Sequence, residues 1–328
     1  MILVVGGAGY IGSHVVKQLR EAQLPHLVFD NLSSGHRASV GDSPFVVGDL
    51  RSRSDLDEVF DTHPIDVVMH FAAHISVGES VREPAKYFEN NTVGVLTLLE
   101  SMRAYKVKQF VFSSTAAVFG EPEHLPIEEE HSKHPTSPYG TSKLMVEQML
   151  SAFDHAYGLH AVVLRYFNAA GAARDGTIGE DHHPEEHLIP LAIAAAMGRR
   201  GELRVFGTDY PTPDGTCVRD FVHVEDLADA HLRAASYLRD GGVSREFNLG
   251  NGHGFSVREV IDTVSRVVGQ QVPYQEADRR PGDPAQLIAS SDRARSELGW
   301  TPRYPELATI VGDAWRWHET HPQGYGDN

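Results

Sequence analysis

The chain has 328 residues and a mass of 36.1 kDa, enough to bury a large core and more than the commonest single-domain size, so two lobes are expected. Hydrophobic residues make up 41% and charged residues 23%, ordinary globular values that exclude long disordered stretches. The net charge of −16 opposes nonspecific binding to nucleic acid or to an anionic membrane, since both require Lys and Arg against phosphate; an anionic small ligand would need local donors, either helix N-termini or a few placed arginines.

The apolar start, Met1 to Val5, is too short for a signal-peptide core and runs straight into glycines. No apolar run approaches the ~18 residues of a membrane span. Cys217 is the only cysteine, which excludes an intramolecular disulfide and points to a reducing compartment. A soluble, cytoplasmic protein is expected.

Short β-rich runs at residues 2–5, 27–29, 45–47, 67–71 and 110–112 alternate with amphipathic stretches, and 161–165 extends the series. Apolar strands of this length without alternation suit a parallel sheet covered on both faces, so the fold class is α/β, a Rossmann-type doubly wound sheet. After Asn168 the texture turns to Gly, Pro, Asp and His. A lobe boundary is placed there, with a dinucleotide-binding domain over 1–168 and a smaller substrate lobe over 169–328. The two are expected to interleave, because residues 223–238 read as an amphipathic helix able to pack back on the sheet.

Gly6-Gly7-Ala8-Gly9-Tyr10-Ile11-Gly12 follows the first strand and opens a helix, the context a dinucleotide fingerprint requires. Its spacing is GxxGxxG, and glycines there let backbone N–H groups approach a pyrophosphate at the positive helix end. A phosphate-binding P-loop is disfavoured, since Ser13-His14 follow Gly12 where Lys-Ser or Lys-Thr would stand. Asp30 ends the second strand, 18 residues beyond Gly12, where a carboxylate can accept from ribose hydroxyls and repel a 2′-phosphate. NAD is therefore expected over NADP, with Arg37 nearby as the one opposing feature. Asp49, after the third strand, could reach the adenine amino group or simply cap the next helix.

Tyr139-Gly140-Thr141-Ser142-Lys143 places a phenol and an ammonium one helical turn apart. A tyrosine is a poor base near neutrality unless a cation favours its anion, and Lys143 is expected to do so. The strand at 110–112 delivers Ser113-Ser114-Thr115 to the sheet edge where open α/β folds form their ligand crevice. A Thr115 hydroxyl there can share a substrate proton with Tyr139, whereas Ser113 is as well explained as a strand cap.

Five further runs carry a resemblance that covers essentially the whole chain. They are Val77-Gly78-Glu79-Ser80, Arg165-Tyr166-Phe167-Asn168, the segment 205–212, the segment 214–220 and the tail His321-Pro322-Gln323-Gly324-Tyr325. With them the chain resembles the extended short-chain dehydrogenase/reductases and, within these, the sugar-nucleotide 4-epimerases that act on UDP-hexoses. The resemblance implies 4-epimerisation through a 4-keto sugar, with NAD retained, Tyr139 as acid and base, Lys143 on the nicotinamide ribose and Thr115 guiding the proton. It further implies a cofactor site of Gly6, Gly9, Tyr10, Ile11, Gly12, Asp30, Asn31, Asp49, Leu50, Phe71, Ala72, Asn91, Ser113, Tyr139, Lys143 and Tyr166. The UDP-sugar would meet Thr115, Tyr139, Asn168, His187, Leu188, Phe206, Arg219, Arg280, Asp283 and Leu287, the two arginines gripping the diphosphate. A homodimer is implied, built on helices over 92–105 and 139–153, with Val93, Leu96, Met145 and Met149 as apolar contacts.

Three positions depart from the family pattern: Thr115 stands for a serine, Ile75 for a cofactor-side lysine, and Leu287 for a residue whose size decides whether N-acetyl sugars enter. Rival readings differ in chemistry. A 4,6-dehydratase needs an acid and a base beside the hydroxyl residue, and Ala116-Ala117 supply neither. UDP-N-acetylhexosamine, UDP-pentose or UDP-uronate 4-epimerases use the same groups, and a non-catalytic NAD-sensing regulator would share the fold. His182-His183-Pro184-Glu185-Glu186-His187 invites a metal reading, but the stretch lacks a helical i,i+4 ligand pair and the chemistry needs no metal, so none is expected. Cys217 reads as a buried small residue, and Trp315 and Trp317 as packing residues of the last helix.

Overall fold

The structure is a computed structural model that describes residues 1–280 and 283–326. Its strands, in chain order, are β1 Ile2–Val5, β2 His26–Asp30, β3 Phe45–Val47, β4 Val67–His70, β5 Gln109–Thr115, β6 His160–Tyr166, β7 Asn168–Ala170, β8 Leu203–Phe206, β9 Val218–Arg219, β10 Phe221–His223, β11 Arg245–Leu249, β12 Phe255–Ser256, β13 Tyr274–Ala277 and β14 Gln286–Leu287. The helices are α1 Tyr10–Glu21, α2 Arg53–Thr62, α3 Val77–Arg82, α4 Pro84–Phe88, α5 Gly94–Ala104, α6 Pro138–Tyr157, α7 Leu188–Ala196, α8 Val224–Arg239, α9 Val257–Val268, α10 Asp292–Glu297 and α11 Leu307–Thr320.

Seven parallel strands form the central sheet in the order β11-β6-β5-β4-β1-β2-β3. Successive residues of a strand point to opposite faces, and β1 shows what that does. Ile2 and Val4 join the core under α1 and α8, while Leu3 and Val5 join the core under α2, α5 and α6. Both faces are dry, which is why the strand is apolar throughout. The strand order reverses beside β1, between β2 and β4, and the crevice beyond those strand ends is where ligands bind in such sheets.

The doubly wound α/β fold is as expected. Helix α8 packs on α1 and on the sheet, and β11, which no periodicity announced, closes the β6 edge. Strand β5 runs on through Ser113, Ser114 and Thr115, beyond the expected residue 112, because their side chains find partners inside the protein. A third core gathers α7, α9 and α11 around β8 and β10. Among the described residues no helix is long and apolar enough to cross a membrane.

Candidate active site

The glycine loop is shaped by close backbone approach. Gly6 has φ of +77°, and a Cβ on it would lie 2.3 Å from the Ala72 nitrogen, so the loop is pressed against Phe71 and Ala72. A Cβ on Gly12 would meet the Gly6 carbonyl at 2.3 Å. A Cβ on Gly9, by contrast, would meet nothing closer than 3.5 Å. Gly9 is the N-cap of α1 and brings no side chain to take its first amides, so Tyr10 and Ile11 open the helix toward a concave, glycine-lined cradle. The Tyr10 hydroxyl donates to the Gly171 carbonyl at 2.7 Å, tying the loop to the segment that follows β7.

At the end of β2 the Asp30 carboxylate accepts from the Ala8 and Leu32 amides at 3.0 and 2.8 Å. Burial pushes its carboxyl up, and these two amides oppose that. Arg37 donates to the Gly41 carbonyl at 2.7 Å and lies over the Phe45 ring, so its guanidinium is already engaged. Asn31 and Arg51 both donate to Asp49, Arg51 in bidentate fashion, and Arg51 holds that carboxyl below its usual range. The helix-cap reading of Asp49 fails: Ser52 caps α2, accepting from the Asp55 amide. The Leu50 side chain is buried in the core beside α5.

Helix α6 starts where Ser137 accepts from the Gly140 amide and Pro138 takes the first turn. It presents Tyr139 and Lys143 to the end of β5. Burial pushes the Tyr139 phenol above its ordinary value, while the facing Thr115 hydroxyl pulls it down. The Lys143 ammonium donates to the Ser113 carbonyl at 2.8 Å and sits 4.9 Å over the Phe112 ring. Burial lowers its amine to about 7, with Glu147 opposing. In the chain by itself the Lys143 amine is turned toward the Ser113 carbonyl. Tyr166 stands beside both Tyr139 and Ser113, its phenol also raised by burial.

Asn91 sits behind this wall, not on it. Its amide oxygen accepts from the His74 and Asn90 nitrogens, and its NH2 group donates to the His74 carbonyl and the Ser142 hydroxyl. A carboxamide so saturated holds the 72–75 segment in place. Ile75 is exposed.

Beyond residue 168 most of the remaining candidates come together in pairs. Arg219 donates to Asp283 at 2.6 Å and to the Pro284 carbonyl at 2.9 Å. The Arg280 guanidinium stacks 4.0 Å over Phe206. Asn168 donates from its side chain to the Asp220 carbonyl at 3.1 Å. Leu287 packs against the small cluster of Ala116, Val118, Phe119 and Ile127. His187 N-caps α7, whose first residue is Leu188.

A model of the NAD dependent epimerase/dehydratase family matches residues 2–250. The chain belongs to this family. It is 54% identical over 324 residues to the UDP-glucose 4-epimerase of Halalkalibacterium halodurans, covering 99% of this chain and 97% of that one. A crystal structure of UDP-glucose 4-epimerase superposes with a TM-score of 0.97 at 49% identity, over 99% of both chains. The UDP-glucose 4-epimerase from Brucella ovis in complex with NAD gives 0.94 at 46% identity, over 96% of this chain and 97% of that one.

The residues present fit the cofactor that names the family. The open face at Gly9, the uncapped first turn of α1 and the part-buried Asp30 carboxylate match a pyrophosphate and a ribose with free hydroxyls. Three residues of this epimerase/dehydratase site escaped the sequence reading. Glu147 accepts from Ser114 at 2.6 Å and forms a bidentate pair with Arg165 at 2.9 and 2.7 Å, nearly out of solvent. His231 of α8 bonds the Ser113 hydroxyl at 2.9 Å. His70, at the end of β4, is buried with neither ring nitrogen hydrogen-bonded. Only Glu147 left a trace, as the i+4 neighbour of Lys143. In the histidine-rich run the irregular segment folds back on itself, so that Glu180, His182, Glu185 and His187 bring one ligand atom each to within 4.8 Å of one another.

Proposed function

We propose that the chain interconverts UDP-glucose and UDP-galactose by NAD-dependent 4-epimerisation, with residues 1–168 holding the cofactor and 169–328 the nucleotide sugar. The observation that carries this reading is the Tyr139 phenol facing the Thr115 hydroxyl, with Lys143 one turn on and Ala116-Ala117 next in the chain. These groups move one proton on an alcohol and offer no second acid or base for elimination.

NAD, when bound, supplies the oxidation of sugar C4 and its reversal. Tyr139 takes the C4 hydroxyl proton through or beside Thr115 and returns it once the keto sugar has turned its other face. Lys143 holds the nicotinamide ribose. Arg219 and Arg280 supply the local positive charge that a diphosphate needs on a chain of net charge −16. Asn168 meets the phosphates, Asp283 the uridine ribose, and His187, Leu188 and Phe206 the uracil. A homodimer through α5 and α6 is supported by the exposure of Leu96 and Met145 on those helices and of Val93, which N-caps α5; Met149 packs against the core. Gel filtration tests it. A cytoplasmic location is supported by a lone, buried, unbonded cysteine.

The test is to incubate purified protein with UDP-galactose and no added cofactor, and to identify the dinucleotide freed on denaturation. UDP-glucose and NAD are expected. No 4-epimer and no bound NAD would sink the reading.

A further inference from the structure

We propose that Glu180, His182, Glu185 and His187 form a binding site for a divalent transition metal of the zinc class, outside the residues that carry the epimerisation chemistry. The four ligand atoms converge. Glu180 Oε1 lies 3.2 Å from His182 Nδ1 and 2.8 Å from His187 Nδ1. The Glu185 oxygens lie 3.8 Å from His182 Nδ1 and 2.9 Å from His187 Nδ1. A tetrahedral ion with bonds of about 2.0–2.1 Å has ligand-to-ligand edges of about 3.3 Å, and these four separations straddle that value.

A second observation points to a ligand. Glu180 is 3% exposed, yet its Oε1 and the buried His182 Nδ1 have no hydrogen-bond partner. They approach each other and His187 at ion-pair distance without the alignment a shared hydrogen would have. Buried polar atoms are expected to be satisfied, and a cation held among these four atoms would satisfy them. Two imidazoles and two carboxylates suit zinc or cobalt, whereas magnesium and calcium favour oxygen alone.

A cavity of about 520 Å³ opens on the cluster between α7 and the C-terminal segment, bordered by His318 and His321, and gives an ion its entry path. With four protein ligands the site is structural. It ties down the segment that leads into α7 and Leu188, and His182 stands edge-on to Tyr10 of the cofactor loop at 6.1 Å. Only Nδ1 of His187 is used, which leaves its Nε2 to the nucleotide.

Untagged protein, kept with its NAD, is stripped with a chelator, dialysed against zinc or cobalt chloride, exchanged into metal-free buffer and assayed for metal. One equivalent per chain is expected, with the visible absorption of tetrahedral cobalt and a metal-dependent rise in unfolding temperature. Glu180→Gln and His182→Gln should each lower affinity more than tenfold, while His155→Gln, at an exposed position of α6, should not. Metal-free melts confirm that the variants fold. Absence of retained metal in the unaltered protein, or an equivalent that survives both substitutions, would overturn the site and leave a network of carboxylates with protonated histidines.

Discussion

A phenol buried beside a hydroxyl is a weak base until something favours its anion, and the two side chains that could do so sit on either side of Tyr139. Thr115 already opposes the effect of burial. Removing the phenolic oxygen removes the group proposed to take and return the proton, so Tyr139→Phe should lower kcat by about 10²–10⁴ while bound dinucleotide and the circular dichroism spectrum stay unchanged. Leu287 is tested by size. Because it packs against the cluster of Ala116, Val118, Phe119 and Ile127, Leu287→Gly removes volume there, and the ratio of kcat/KM for UDP-N-acetylgalactosamine over UDP-galactose should rise at least tenfold, within the range of about 10–200 for a pocket change of this kind. The Tyr139 and Lys143 pair was legible from sequence because helical spacing is a local matter. Glu147 with Arg165 was not, since their contact joins α6 to β6 and no pattern within either element signals it. For Asn91 only the fold shows that the amide is bonded to His74, Asn90 and Ser142, contacts that no local pattern signals.

At the scale of the element, α6 is both catalytic rail and structural beam. It carries Tyr139, Lys143 and Glu147 at successive turns, and Glu147 anchors that face to β5 through Ser114 and to β6 through Arg165. Taking away one partner strands a buried charge, so Glu147→Ala should cost about 3–5 kcal/mol of unfolding free energy, read from the urea midpoint. The first six strands announced themselves as apolar runs. β11 did not, because Arg245-Glu246-Phe247-Asn248-Leu249 alternates weakly and lies at an edge, where one long-range pairing outweighs local propensity.

For the whole molecule, acid is the expected weakness. Burial lowers His14 and His70 to about 3 and His231 to about 4, from an ordinary 6.5, so all three are neutral in the fold. Below pH 6.5 the unfolded chain takes up protons that the folded chain refuses, and stability therefore falls as pH falls toward about 4. Each histidine contributes up to about 1.4 kcal/mol per pH unit. Urea titrations between pH 4.5 and 6.5 should show a shallower slope for His70→Phe than for the unaltered chain, and equal slopes would show that His70 titrates normally.

The edge position of β11 has a consequence for how the chain is made. β6 ends at Tyr166 and its partner begins at Arg245, so a ribosome that has delivered the first six strands must add roughly eighty residues before the sheet is closed. At about 5–20 residues per second that is on the order of ten seconds. During it the β6 ladder, Ala161 to Leu164 fully apolar and buried in the finished protein, is an open template for another strand. The nascent chain is therefore most exposed to mispairing between its two halves, and a chaperone that shields an unpaired β-edge would act there.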